Sequence, residues 1–302
     1  MPRFRLYNSD AFEWLARRRP QSIHAVVTDP PFGIVEYEPE QLRKMRNGAG
    51  GIWRLPRNYD GQKRRPSPRF TVLKSTDHAK IAAFHKRLSG QLFRVLVPGG
   101  HVVIASQNLL SHIVIEAFCN SGFEVRGQIA KVIKTLRGGD RPKGAHKRFP
   151  DVSVSPRSSW EPWLIFRKPC DGVVRDNLKQ WGTGALRRPS RDVPFRDLII
   201  SGPAPKRERA VAPHPSLKPQ LFMMEVVRAV LPCEQGIILD PFMGSGSTIV
   251  AAESLGFRSI GLEISPLFFR VASGSISSRV QMNAVVTLNG RNHNSAGQNG
   301  SL

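Results

Sequence analysis

Hydrophobic and polar positions divide the chain into alternating strand-like and helix-like segments. Arg3–Tyr7 alternates apolar and charged residues, as a strand with one wet face does, and Asp10–Arg19 reads as a short helix. Ile23–Thr28 is an apolar, β-branched run of the kind buried on both faces, and Asp29-Pro30-Pro31 ends it. Ile81, Phe84, Leu88, Leu92, Phe93 and Val95 recur at helical spacing, predicting a helix capped at Asp77, continuing through Leu96 and stopped by Pro98-Gly99-Gly100. His101–Ala105 then reads as a strand, Asn108–Cys119 as a helix, and Phe123–Ile133 and Trp160–Arg167 as strands. Further on, Leu217–Leu231 reads as a helix, Gly236–Asp240 as a strand and Gly246–Leu255 as a helix. Arg258–Glu263 is the next strand and Pro266–Val280 the last helix, followed by an Asn-, Ser- and Gly-rich tail from Gln281 that reads as disordered. Strands alternating with helices imply an α/β fold built on a doubly wound, mainly parallel sheet.

Length and composition narrow this only a little. The 302 residues suit one large α/β domain with insertions or two small domains. No apolar run approaches the roughly 20 residues of a membrane span, and Met1–Arg5 does not resemble a secretory signal. Cys119, Cys170 and Cys233 share no metal-ligand spacing and form no even set, which points to a reduced, cytoplasmic setting without a disulfide framework or a metal site.

Charge changes the picture more. Lys and Arg number 45 against 23 Asp and Glu, a net charge of +22. Such an excess predicts a polyanionic partner, above all nucleic acid. It is also uneven: residues 41–75 carry ten cations against Asp60, residues 131–150 seven against Asp140, and residues 185–210 seven against three acids. All three stretches are rich in Gly or Pro and read as binding loops on a rigid scaffold.

Candidate chemistry sits at two strand ends. Ile237–Asp240 finishes in an acid, and Gly244-Ser245-Gly246 follows, where the missing side chains let a backbone approach a ligand closely. Ser247-Thr248 open a helix whose free N–H groups can bind an anion. Glu263 ends the next strand 23 residues after Asp240, where an acid can take hydrogen bonds from ribose hydroxyls. The stretch lacks the Lys of a phosphate loop and the third Gly of the dinucleotide fingerprint, leaving a nucleoside cofactor. At the other strand end, Asp29 stands beside two prolines that remove N–H donors and leave acceptors. An all-acceptor site suits an NH2 group, and Phe32 offers a face for a flat ring.

Taken together these peptides resemble the S-adenosylmethionine-dependent DNA amino-methyltransferases of the adenine-N6/cytosine-N4 type. Asp29-Pro30-Pro31-Phe32 resembles their catalytic (D/N/S)-P-P-(Y/F/W) motif, and the run from Asp240 through Phe242, Gly244 and Thr248 resembles their cofactor motif. His214-Pro215-Ser216-Leu217-Lys218-Pro219 resembles the H-P-x-x-K-P box, and Leu96–Gly100 the L-x-P-G-G turn. The catalytic motif precedes the cofactor motif, an order similar to the circularly permuted β class. Two positions depart from the pattern: Phe32 replaces the commoner Tyr, and Asn8-Ser9-Asp10 stands where Gly-Asp is usual.

The resemblance implies a Rossmann-like methyltransferase fold and the cofactor S-adenosyl-L-methionine. It implies cofactor contacts from Asp10, Lys218, Asp240, Phe242, Gly244, Ser245, Gly246, Ser247, Thr248 and Glu263, and catalysis by Asp29, Pro30, Pro31 and Phe32. Asp29 and the Pro30 carbonyl would accept the hydrogens of a target amine while Phe32 stacks on a base flipped out of double-stranded DNA. Asp at the first motif position goes with adenine-N6. Cytosine-N4, an RNA amine, or a DNA-binding relative without activity are the alternatives. The core would comprise residues 1–34, 77–168 and 214–280. A basic insertion would occupy 35–76, target recognition 169–213 and the disordered tail 281–302. The implied setting is cytoplasmic and nucleoid-associated, with a homodimer and a cognate restriction enzyme among the partners it admits.

Overall fold

A computed structural model describes residues 2–31, 43, 53–54, 67–68, 73–138, 145, 147–214 and 216–295, with side chains left aside at 53–54, 67–68, 134–138, 157 and 285–295. In chain order the first elements are β1 (Phe4–Asn8), α1 (Ala11–Arg17), β2 (Ile23–Thr28), β3 (Trp53–Arg54) and β4 (Ser67–Pro68). Next come α2 (Ser75–Val95), β5 (Leu96–Ala105), α3 (Ser111–Asn120), β6 (Glu124–Gly138) and β7 (Arg157–Arg167). Then follow α4 (Val174–Trp181), β8 (Leu198–Ile200), α5 (Lys206–Val211) and α6 (Gln220–Ala229). The chain closes with β9 (Ile237–Asp240), α7 (Ser247–Ser254), β10 (Arg258–Glu263) and α8 (Pro266–Ser295).

Eight strands form one sheet in the order β1-β10-β9-β2-β5-β7-β6-β8. The first five are mutually parallel, β7 runs antiparallel to both β5 and β6, and β8 pairs parallel with β6. Side-chain alternation explains the layering. Val26, Val102, Ile104, Leu164 and Phe166 point to the face covered by α1, α2 and α3, where Leu15, Leu88, Leu92 and Phe118 join them. Ala25, Val27, Val103, Trp163 and Ile165 point to the other face, covered by α6 and α7 through Phe222, Val226, Val227, Ala251 and Ala252. Each strand thus feeds two cores with a period of two.

The structure departs from the sequence reading in several places. Pro98-Gly99-Gly100 does not separate helix from strand but lies inside β5; Gly99 reaches φ +72°, and a side chain there would collide with Asn177 and Gly184. Asp77 is not the cap residue of α2 but sits within its first turn, its carboxylate accepting from the Lys74 amide at 2.9 Å. β6 runs past the strand read over Phe123–Ile133 to Gly138, so residues 134–138, counted among the basic loops, belong to a strand, and Lys131 is buried in it. Finally, α8 runs to Ser295, so Gln281–Ser295 is not the expected disordered tail; Asn283 is buried and donates to Gln220 and Ser254, a gain local composition does not reveal. Part of residues 169–213 also belongs to the scaffold. Asn177 of α4 is fully buried and bonds to Pro98 O and Thr183, while Arg187 pairs with Glu234 at 2.9 Å. No helix among the described residues is long and apolar enough to cross a membrane.

Candidate active site

The two motif-bearing strands lie side by side. β2 and β9 pair in parallel, with Val26 opposite Leu239, so both end at one edge of the sheet. From β9 the chain winds outward to β10, and from β2 the other way to β5. Their junction is therefore the switch point at which open α/β sheets bind ligands. Side chains fix the two ends together. Thr28 Oγ1 donates to Asp240 Oδ1 at 2.7 Å, and Thr248 Oγ1 donates to the Val27 carbonyl at 3.2 Å. The Asp240 carboxylate also accepts from the Phe242 amide at 3.1 Å. Burial pushes its pKa up to about 6 against these hydrogen bonds.

Just beyond β2, Pro30 is buried and Asp29 retains 20% side-chain exposure. Lys218 places its ammonium 2.7 Å from Asp29 Oδ2 and 3.2 Å from Glu161 Oε1. Glu161 Oε2 is in turn 3.2 Å from the Lys131 ammonium. Lys218, expected among the cofactor residues, pairs with Asp29 of the other motif. Burial opposes the Lys218 charge, but Asp29 and Glu161 together hold its pKa above the usual lysine range. Burial would raise Glu161, yet Lys218 and Lys131 pull it down to about 2. For Asp29, burial raises the carboxyl above its ordinary value against the pull of Lys218. Phe32 lies outside the described residues.

The glycine loop forms the neighbouring wall. Gly244 and Gly246 adopt φ of +52° and +77°, conformations that cost other residues. A Cβ on Gly244 would sit 3.0 Å from the His214 ring, which packs against the loop and against Phe268. Burial lowers the His214 pKa to about 4, helped by Lys218 and Arg279, so the ring is neutral at physiological pH. The Gly244 amide donates to Glu263 Oε2 at 3.0 Å and the Ser265 amide to Oε1 at 2.8 Å, orienting that carboxylate at the end of β10. Asp10 follows β1, the strand that pairs with β10, and its Oδ1 caps α1 by accepting from Phe12 and Glu13 amides. Beneath the loop, fully buried Arg279 of α8 donates to Ser245 O at 2.8 Å and to Ser247 Oγ at 3.1 Å. Phe242 is partly buried and packs on Phe12 and Phe84.

These groups suit a nucleoside without phosphates. The segment Asp240–Thr248 carries no cation, whereas Glu263 and Asp10 supply acceptors for hydroxyl or amine hydrogens. Ile264, 66% exposed directly after Glu263, offers an apolar face for a flat ring. Sequence reasoning does not find Thr28, Glu161 or Arg279 as site residues. A lone acid in an apolar strand marks Glu161, and Arg279 stands on the buried stripe Ala272-Ile276-Arg279-Asn283 of α8.

Fold and site together define a Rossmann-like methyltransferase. A family model for DNA methylases of the N6/N4 type matches residues 23–273. The chain belongs to this family, the S-adenosylmethionine-dependent DNA amino-methyltransferases. Among curated relatives, the type II methyltransferase M.HindIII of Haemophilus influenzae is 25% identical over 291 residues, spanning 88% of this chain and 93% of its own. TTHA0409 of Thermus thermophilus, described as a DNA modification methylase and solved with S-adenosyl-L-methionine, superposes with a TM-score of 0.55 at 21% identity, covering 92% and 96% of the two chains. The cytosine-N4-specific PvuII DNA methyltransferase gives 0.57 at 13% identity, covering 93% and 94%.

Proposed function

We propose that the protein methylates the exocyclic N6 of adenine at a specific DNA sequence, as a member of the permuted β class. The observation that carries the reading is Asp29 at the end of β2, an acceptor beside two prolines and next to the glycine loop of β9. The sheet order supports the permuted class, because the catalytic strand β2 comes early in the chain and the cofactor strand β9 late. Asp at the first motif position favours adenine over cytosine.

S-adenosylmethionine, when bound, supplies an electrophilic methyl group on a sulfonium. Glu263, Asp10 and the loop Gly244–Ser247 would hold and orient it, and the free N-terminal amides of Ser247 and Thr248 would suit an anionic group. Asp29 and the Pro30 carbonyl accept the two hydrogens of the target amine. That turns the nitrogen lone pair toward the methyl carbon and stabilises the positive charge that develops on nitrogen. A base inside a duplex cannot reach this edge, so it is flipped out, and Phe32 stacks on it. Cations of the insertion 35–76 contact phosphates, and residues within 169–213 read the sequence.

The test is incubation of the purified protein with methyl-labelled S-adenosylmethionine and, in separate arms, unmethylated phage λ DNA or total RNA, followed by nucleoside digestion. Label in N6-methyladenine supports the proposal; label in N4-methylcytosine, or in RNA but not DNA, refutes it. Asp29→Ala should abolish transfer while calorimetry still detects cofactor binding, and unchanged turnover would remove Asp29 from its assigned role.

A further inference from the structure

The Lys218 ammonium that pairs with Asp29 is not an isolated counter-ion. Asp29 begins a largely buried chain of four charges alternating in sign: Asp29, Lys218, Glu161 and Lys131. The far pair is built into the sheet, since Lys131 of β6 and Glu161 of β7 are cross-strand partners in register. Lys131 also lies 5.1 Å from the centre of the Phe222 ring, and Lys218 5.9 Å from that of Trp163, so apolar walls surround both cations. A buried charge needs a partner at all times. Asp29 must nonetheless free itself to take a target amine. Lys218 solves this conflict because it is shared: with Glu161 at 3.2 Å it stays satisfied while Asp29 turns to the amine. Among the described contacts, Oδ2 of Asp29 takes Lys218 and Oδ1 takes none.

We propose that Glu161 and Lys131 are positioning residues for methyl transfer, which set, through the shared Lys218 ammonium, how firmly Asp29 is kept as an ionised acceptor. The proposal rests on the reading of Asp29 as the amine acceptor. Two further titratable groups face the cluster: Asp240 from β9, which acts on Asp29, and His214, which faces Lys218. Both are common to every variant below, so differences between variants report on the chain itself.

The two substitutions act in opposite directions. Glu161→Gln removes an anion and leaves Lys218 with Asp29 alone, favouring ionised Asp29. Lys131→Met removes a cation and lets Glu161 draw Lys218 away, disfavouring it. At the short separations involved, each change should move the titration of Asp29 by about one pH unit. The experiment measures kcat against pH with saturating S-adenosylmethionine and unmethylated phage λ DNA. In parallel, carboxyl 13C NMR titrates Asp29 in the protein alone, its signal identified by loss in Asp29→Asn. The acid limb of kcat and the Asp29 titration should both move down in Glu161→Gln and up in Lys131→Met. In the double variant, which restores charge balance, they should return close to the parent. Shifts in the same direction, or none, in either readout overturn the proposal. If Glu161→Gln does not fold, Lys131→Met and the double variant carry the same comparison. Opposite NMR shifts in a protein that transfers no methyl group would instead refute the functional reading.

Discussion

Arg279→Met should loosen the glycine loop Gly244–Ser247 from behind. Arg279 has no solvent exposure, and its guanidinium holds Ser245 O at 2.8 Å and Ser247 Oγ at 3.1 Å. Hydrogen bonds from a charged donor are worth about 1.5–3 kcal/mol each. Met recovers part of that, because it is apolar and no longer carries the penalty of a buried charge. A net loss of about 2–4 kcal/mol follows, and at roughly 2–4 °C per kcal/mol for a large domain the melting temperature should fall by about 4–16 °C. The freed groups lie in the turn that carries Gly246, so the affinity for S-adenosylmethionine should drop at least about tenfold, the equivalent of about 1.4 kcal/mol. Arg279→Lys should recover little, since a single ammonium on a shorter side chain lacks the planar fork whose two amino groups reach Ser245 O and Ser247 Oγ separately. Thermal denaturation and calorimetric titration with the cofactor read both effects. An Arg279→Met protein with unchanged melting and unchanged cofactor affinity would refute the bracing role.

Other outcomes follow from the same geometry. The Asp240 pKa of about 6 lies above its value near 3.9 in an unfolded chain, so its stabilising contribution is full below about pH 4 and is lost as pH rises through 6. Asp240→Asn keeps the Oδ1 acceptor and does not titrate, so melting between pH 4 and 8 should show it gaining on the parent as pH rises; a pH-independent difference would contradict this. Gly244→Ala forces a side chain into a left-handed conformation and against His214, at a cost of about 1–2 kcal/mol visible as a lower melting temperature. With a net charge of +22, DNA affinity should fall steeply with salt, each neutralised phosphate adding about 0.9 to the log–log slope; a flat dependence would remove the phosphate contacts.

Much of the core was readable because burial imposes a period. The apolar run Ile23–Thr28 and the helical spacing Ile81-Leu88-Leu92 survive any loop arrangement, and they became β2 and α2. The two motifs were readable for a different reason: prolines after Asp29 and glycines after Asp240 fix local backbone shape. What escaped depends on register and long-range packing. Lys131 stands at the overlap of the strand read over Phe123–Ile133 and the basic stretch 131–150, and only the pairing of β6 with β7 sets it opposite Glu161. The destination of Lys218 could not be read from its own motif, since its partners lie 189 and 57 residues away in the chain. Likewise Gln281–Ser295 has the composition of a loose tail, and it is the buried bonds of Asn283 to α6 and α7 that tie the start of that segment into the helix.

The central claim is tested most directly in a host that has no DNA methylases of its own. The protein is expressed there, and genomic DNA is read by single-molecule sequencing beside an Asp29→Ala control. N6-methyladenine at one short recurring sequence, absent from the control, is the predicted result. Unmodified DNA, or methylation on cytosine-N4, would contradict it.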